Sequence, residues 1–154
     1  MPGEHNEALH DWPLGIGLMA TTDESLPNVL AAATAALIMG NAVVLPATQM
    51  GRKVAFALRA SGVPHNLIQV VALRTADLLA TVDFDFVVAH GRFAQAIHQK
   101  LLQKKRERVG FVRFIGGYDQ PDDPRYLTYF AYETVRTERT LHHGVDLDLR
   151  AVLG

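Results

Sequence analysis

The residues best suited to chemistry are few and scattered. His90-Gly91-Arg92 (VVAHGRF) follows an apolar run, where a strand would end and a helix begin. A helix N-terminus there could take a phosphate, with Arg92 adding charge. His142-His143 stands shortly before Asp146 and Asp148. Adjacent histidines on a strand face opposite ways, so one metal ion rarely takes both, and a solvated turn is the simpler reading. Ser25 and Ser61 sit at helix ends, without the adjacent base that a hydroxyl nucleophile needs. Cysteine is absent from all 154 residues. Thiol nucleophiles, disulfides, thiolate metal sites and iron–sulfur clusters are therefore excluded.

Two other stretches could bind rather than react. Lys100–Arg108 (KLLQKKRER) is strongly cationic, yet it reads as the solvated end of an amphipathic helix. It contains no aromatic platform for single-stranded nucleic acid. The net charge is −1, from 15 basic and 16 acidic side chains. No nucleic-acid partner is expected on this balance. The second stretch alternates aromatic residues and threonine with other types: Tyr126, Thr128, Phe130, Tyr132, Thr134, then Arg136. It suits a β-hairpin, or a helix followed by a strand. A ribbon of two strands is marginal alone in water, so these six residues are expected to meet another domain or subunit.

The elements that must position these residues follow from hydrophobic patterning. Apolar runs at Leu14–Ala20, Asn41–Pro46, Leu67–Leu73, Phe84–Ala89 and Val109–Ile115 predict five strands. Helical stretches lie between them. Asn28–Met39 is capped by Ser25 and stopped by Gly40. Gly51–Ser61, a short Thr75–Thr81 and an amphipathic Arg92–Arg106 follow. Strands alternating with helices imply βαβ units and an α/β, doubly wound, mostly parallel sheet of about five strands. Near-continuous apolar strands fit a sheet covered on both faces. After Gly116-Gly117, a turn-rich Tyr118–Pro124 leads to what reads as an appendage. The expected division is 1–117 for the sheet domain and 118–154 for a linker and C-terminal β-flap. The longest apolar stretch, Val29 to Met39, is far short of the roughly 20 residues a membrane span needs. The polar start, Met1 to Asp11, lacks the form of a signal peptide. A cytoplasmic protein is expected.

Leu26 to Val71 resembles the aldehyde dehydrogenase superfamily. The residues that carry the likeness are Ala36-Leu37-Ile38-Met39-Gly40-Asn41, Val43-Val44-Leu45 and Ser61-Gly62-Val63-Pro64. Phe84–Gly91 stands where that family has an Asp-x-Val-x-Phe-Thr-Gly-Ser segment, and Arg113–Gly117 where it has Glu-Leu-Gly-Gly. The likeness spans roughly residues 14–117. It implies a Rossmann-like sheet and NAD as the cofactor class, with His90, Gly91 and Arg92 as the contacts, although no residue here requires NAD. The departures are chemical. The family's cysteine nucleophile, the lysine after its second strand, its Gly-Ser turn and the glutamate of Glu-Leu-Gly-Gly have no counterparts. Leu45-Pro46 and Gly91-Arg92 stand at two of those places. Nor do these residues contain the family's catalytic domain, so a piece of a larger polypeptide is expected.

A narrower pattern is similar to the non-catalytic C-terminal domain of long bifunctional proline-catabolic enzymes of the proline utilisation A kind. Pro2-Gly3-Glu4-His5-Asn6 leads to Trp12-Pro13-Leu14-Gly15, and Tyr132–Thr140 resembles the flap strand of such domains. That resemblance implies a catalytically silent domain with a lid, tunnel-closing or oligomerising role. Two alternatives stand beside it: the NAD-binding part of an L-glutamate γ-semialdehyde dehydrogenase, and an unrelated α/β interaction module.

Overall fold

The computed structural model describes residues 4–21, 25–91, 93–107, 112–116 and 123–139. Ten-residue β1 (Glu4–Pro13) is followed by the apolar strand β2 (Ile16–Met19). Four helices then alternate with four strands: α1 (Leu26–Ile38), β3 (Ala42–Pro46), α2 (Gln49–Ala60), β4 (Ile68–Val71), α3 (Thr75–Thr81), β5 (Phe86–Ala89), α4 (Ala94–Glu107) and β6 (Arg113–Gly116). A 3-10 segment, Pro124–Phe130, leads into β7 (Ala131–Arg139).

The parallel sheet has the order β4-β3-β2-β5-β6, with every neighbouring pair parallel. Side chains alternate across each strand, so one strand feeds two cores. Met19, Val43, Leu45, Phe86 and Val88 pack with α1 and α2 on one face. Leu18, Ala20, Val87 and Ala89 pack with α3 and α4 on the other. Helices on both faces make this the doubly wound, Rossmann-like sheet expected from the alternation of patterns. Gly17 lies inside β2 because a side chain there would overlap the Phe86 ring on β5.

The local signals place the helices well. The Ser25 hydroxyl accepts from the Asn28 amide at 3.4 Å, and Pro27 lies in the first turn of α1. Thr48 caps α2 in the same way, accepting from the Gly51 amide at 3.0 Å.

The two ends of the chain depart from expectation. The polar N-terminal stretch is a strand, and it pairs antiparallel with β7, from Glu4↔Arg139 to Pro13↔Ala131. The described part of this stretch, up to Arg139, therefore forms no local hairpin; the partner of β7 is β1. Helix followed by strand holds, with the helix of the 3-10 kind. Asp123 begins it by accepting from the Arg125 amide at 2.8 Å, and Pro124 supplies a preset backbone angle. The expected division at 117 falls before this segment. Yet Tyr126 and Phe130 are 2% and 0% exposed and belong to the core under α1. Residues 140–154, with His142, His143, Asp146 and Asp148, lie outside the described residues, as does Arg92.

Candidate functional site

In an open parallel sheet, ligands bind where the strand order reverses, beyond the carboxyl ends of the strands. Here that point lies between β2 and β5. Thr21 follows β2, Thr48 follows β3, and His90-Gly91 follows β5. Thr21 Oγ1 and Thr48 Oγ1 are 2.8 Å apart, tying the ends of two strands together. Gly91 turns the chain with φ 71°, a left-handed angle that suits glycine, and the Ala94 amide donates to its carbonyl at 3.2 Å as α4 begins.

His90 sits at the expected carboxyl end of a strand, but it does not face an open cleft. It is 6% exposed, and its Nε2 lies 3.2 Å from the Tyr126 hydroxyl. Tyr126 in turn meets Phe130 edge-to-face, with ring centroids 5.3 Å apart, and Phe130 meets Phe86 at 5.6 Å. Tyr126 and Phe130 thus fill the space along β5 on the α1 face, from His90 beyond its carboxyl end to Phe86 at its start.

The six tail residues separate accordingly. Tyr126 and Phe130 are covered by this chain's own core and present no surface to a partner. Thr128 is half-buried, its hydroxyl donating to the Arg125 carbonyl at 2.7 Å. Tyr132 is 48% exposed at the root of the ribbon. Thr134 and Arg136 lie further along it, opposite Leu9 and Glu7.

Two residues that sequence reasoning missed anchor the 3-10 segment at the opposite end of the sheet, where the strands begin: Asn41 precedes β3 and Arg113 opens β6. Asn41 is 1% exposed. Its Nδ2 donates to the Ala36 carbonyl at 3.0 Å and the Phe130 carbonyl at 2.8 Å, while its Oδ1 accepts from the Gly15 amide at 2.8 Å. One side chain thereby joins the end of α1, the entry to β2 and the 3-10 segment. Arg113 on β6 donates to the Tyr129 and Ala131 carbonyls at 3.0 and 2.8 Å, pinning the segment from the other side. Asn41 sits in the Gly40-Asn41 pair already noted, but nothing in sequence shows the partner 89 residues away.

On the opposite face, a groove of about 230 Å³ runs between α3 and α4. Leu79, Phe93 and Ile97 form its apolar wall, and Arg74 and Lys100 flank it. Among the described residues, no group of three or more His, Cys, Asp or Glu side chains is placed to hold a metal ion. None of the described helices is long and apolar enough to cross a membrane.

No protein-family model matches this sequence, and no curated protein matches it. Solved structures do. The Δ1-pyrroline-5-carboxylate dehydrogenase of Mycobacterium tuberculosis superposes with a TM-score of 0.54 at 19% identity over 75% of this chain. The fold is aldehyde-dehydrogenase-like. Proline utilization A from Bdellovibrio bacteriovorus, in a structure inactivated by N-propargylglycine, superposes with the same TM-score of 0.54 at 17% identity over 75% of the chain. The chain spans 24% of the first protein and 13% of the second, so it corresponds to a part of each.

Proposed function

We propose that this chain is a catalytically silent, aldehyde-dehydrogenase-like domain that supports a proline-catabolic oxidoreductase in the cytoplasm. Its role would be to cover, enclose or oligomerise the enzyme. The observation that carries the reading is an aldehyde-dehydrogenase-like sheet in a chain with no cysteine. Thiohemiacetal formation needs a thiolate, and no other residue can supply one. The β1–β7 ribbon adds to this. A sheet of two strands leaves one edge of each strand unpaired within the described residues, a form that gains stability by packing on another domain or subunit. A homo-oligomer and a larger polypeptide both satisfy that need. The test has two arms. The purified chain, supplied with glutamate semialdehyde and NAD, should produce no NADH. Deleting these residues from the parent enzyme should introduce a lag between proline oxidation and NADH formation. Turnover by the isolated chain would overturn the proposal.

The α3–α4 groove favours a second reading, in which a dinucleotide is still bound. Phe93 and Ile97 offer a wall for a flat ring, and Arg74 and Lys100 offer charge for phosphates. Calorimetry with NAD and NADH tests this directly. No heat at millimolar cofactor would sink it.

A further inference from the structure

The net charge conceals a strong local asymmetry. Between Glu24 and Asp77 the sequence contains no carboxylate, while Arg52, Lys53, Arg59 and Arg74 all fall within that span. Three of these cations lie on α2. Between them, Phe56 is 76% exposed, more than any other large apolar side chain among the described residues. A groove of about 670 Å³ runs along this face of α2 toward the sheet edge, lined by Arg52, Phe56, Arg59, His65 and Val70. A second hollow of about 460 Å³ lies on the other side of Phe56, between Arg52 and Lys53.

The edge itself is usable. β4 is the last strand of the parallel sheet. The Val71 carbonyl points inward and accepts from the Ala47 amide at 2.8 Å. By the two-residue alternation, Ile68 and Val70 turn their main-chain groups outward. Arg59 Nη2 already donates to the Ile68 carbonyl at 2.8 Å, and Arg59 Nε is buried without an acceptor. Arg52 is likewise held, through Nε and Nη2, on the Ala47 carbonyl at 3.2 and 3.0 Å. Two guanidinium groups are thus fixed in place before any ligand arrives, which lowers the entropy lost on binding.

We infer that this face docks an extended acidic segment of a partner polypeptide that carries a large apolar side chain. The carboxylates meet Arg52, Lys53 and Arg59, the apolar side chain covers Phe56, and the main chain runs beside Val70. The groove is open and longer than a small anion needs. A single aromatic residue is a poor platform for single-stranded nucleic acid, which stacks successive bases on successive rings. Strand addition at a sheet edge combined with charge pairing is an established mode of peptide capture.

The full chain can be titrated into three fluorescein-labelled probes and followed by anisotropy. The first is the peptide Glu-Phe-Asp-Leu-Glu-Phe-Asp, the second its Gln and Asn counterpart, and the third an oligothymidylate. The acidic peptide should bind saturably, roughly tenfold or more tighter than the amide peptide, and weaken as salt rises. Phe56→Ser and Lys53→Glu, both at exposed positions of α2, should each weaken it by about tenfold with unchanged circular dichroism melts. Absence of saturable binding to the acidic peptide overturns the inference. So does equal binding of the amide peptide, tighter binding of the oligothymidylate, or indifference to both substitutions.

Discussion

Asn41→Ala is the most informative single change. The wild-type side chain makes three hydrogen bonds of 2.8, 2.8 and 3.0 Å, to Gly15, Phe130 and Ala36. The Ala36 carbonyl keeps another donor, the Asn41 main-chain amide at 3.0 Å. The Gly15 amide and the Phe130 carbonyl are the groups that lose their partner. A buried polar group left unsatisfied costs about 1–3 kcal/mol. Gly15 is only half-buried, so the lower part of the summed range applies, about 2–4 kcal/mol. For a chain of this size that is roughly 4–16 °C in Tm. Urea unfolding followed by circular dichroism measures it, with an unchanged slope showing that both end states are intact. Trypsin should also cut after Arg125 more readily, because the 3-10 segment has lost its clip. Asn41→Asp is the discriminating control. It keeps the acceptor for Gly15 but sets a carboxylate against two carbonyls, so at neutral pH it should be less stable than Asn41→Ala. A loss under about 1 kcal/mol for alanine, or an aspartate variant as stable as wild type, would refute the reasoning.

Gly51→Ala should destabilise, although alanine usually gains about 0.5–1 kcal/mol over glycine inside a helix. The added Cβ would overlap the Pro46 carbonyl, and a raised Tm would show that the β3–α2 junction yields. Phe130→Ala should cost about 3–5 kcal/mol in urea unfolding, since the ring is fully buried between Phe86 and Tyr126; a loss well below that would mean the core closes over the gap. The Asp123 carboxyl is held below its ordinary range, first by the side-chain hydrogen bond from Arg125. A depressed folded pKa contributes stability above the unfolded value, about 3.9, and loses it as pH falls through the lower folded value. Asp123→Asn should therefore make the acid limb of a Tm–pH profile shallower below about pH 4, by a small amount because the pair is exposed; an identical limb would contradict this.

The parallel sheet was legible because each of its signals is local. An apolar run such as Phe86–Ala89 is buried on both faces and reads as a strand without knowledge of its neighbours. Ser25 before Pro27 announces a helix start through bonds that span one turn. His90-Gly91 could be placed at a strand end for the same reason, since strand, turn and helix follow one another in the chain. What covers His90 could not be read. Tyr126 reaches it from 36 positions away, and the spacing of Tyr126, Thr128 and Phe130 looks like an exposed strand. Asp123-Pro124 and the Asn41 side chain instead fold that stretch into a 3-10 turn with the Tyr126 and Phe130 rings inward.

The sequence by itself determined the order of elements within the parallel sheet, its two-faced core and the absence of thiol chemistry. These follow from side-chain type and from periods of two or 3.6 residues, which need no partner to be recognised. Only the tertiary structure decided that β1 pairs with β7 and that Tyr126 and Phe130 of the tail belong to the core. Pairing Glu4 with Arg139 closes almost the whole chain into one loop. The entropy of closing a loop rises only slowly with its length, so no local pattern encodes that choice. It is settled by which polar groups find acceptors and which rings find cover once the sheet is in place.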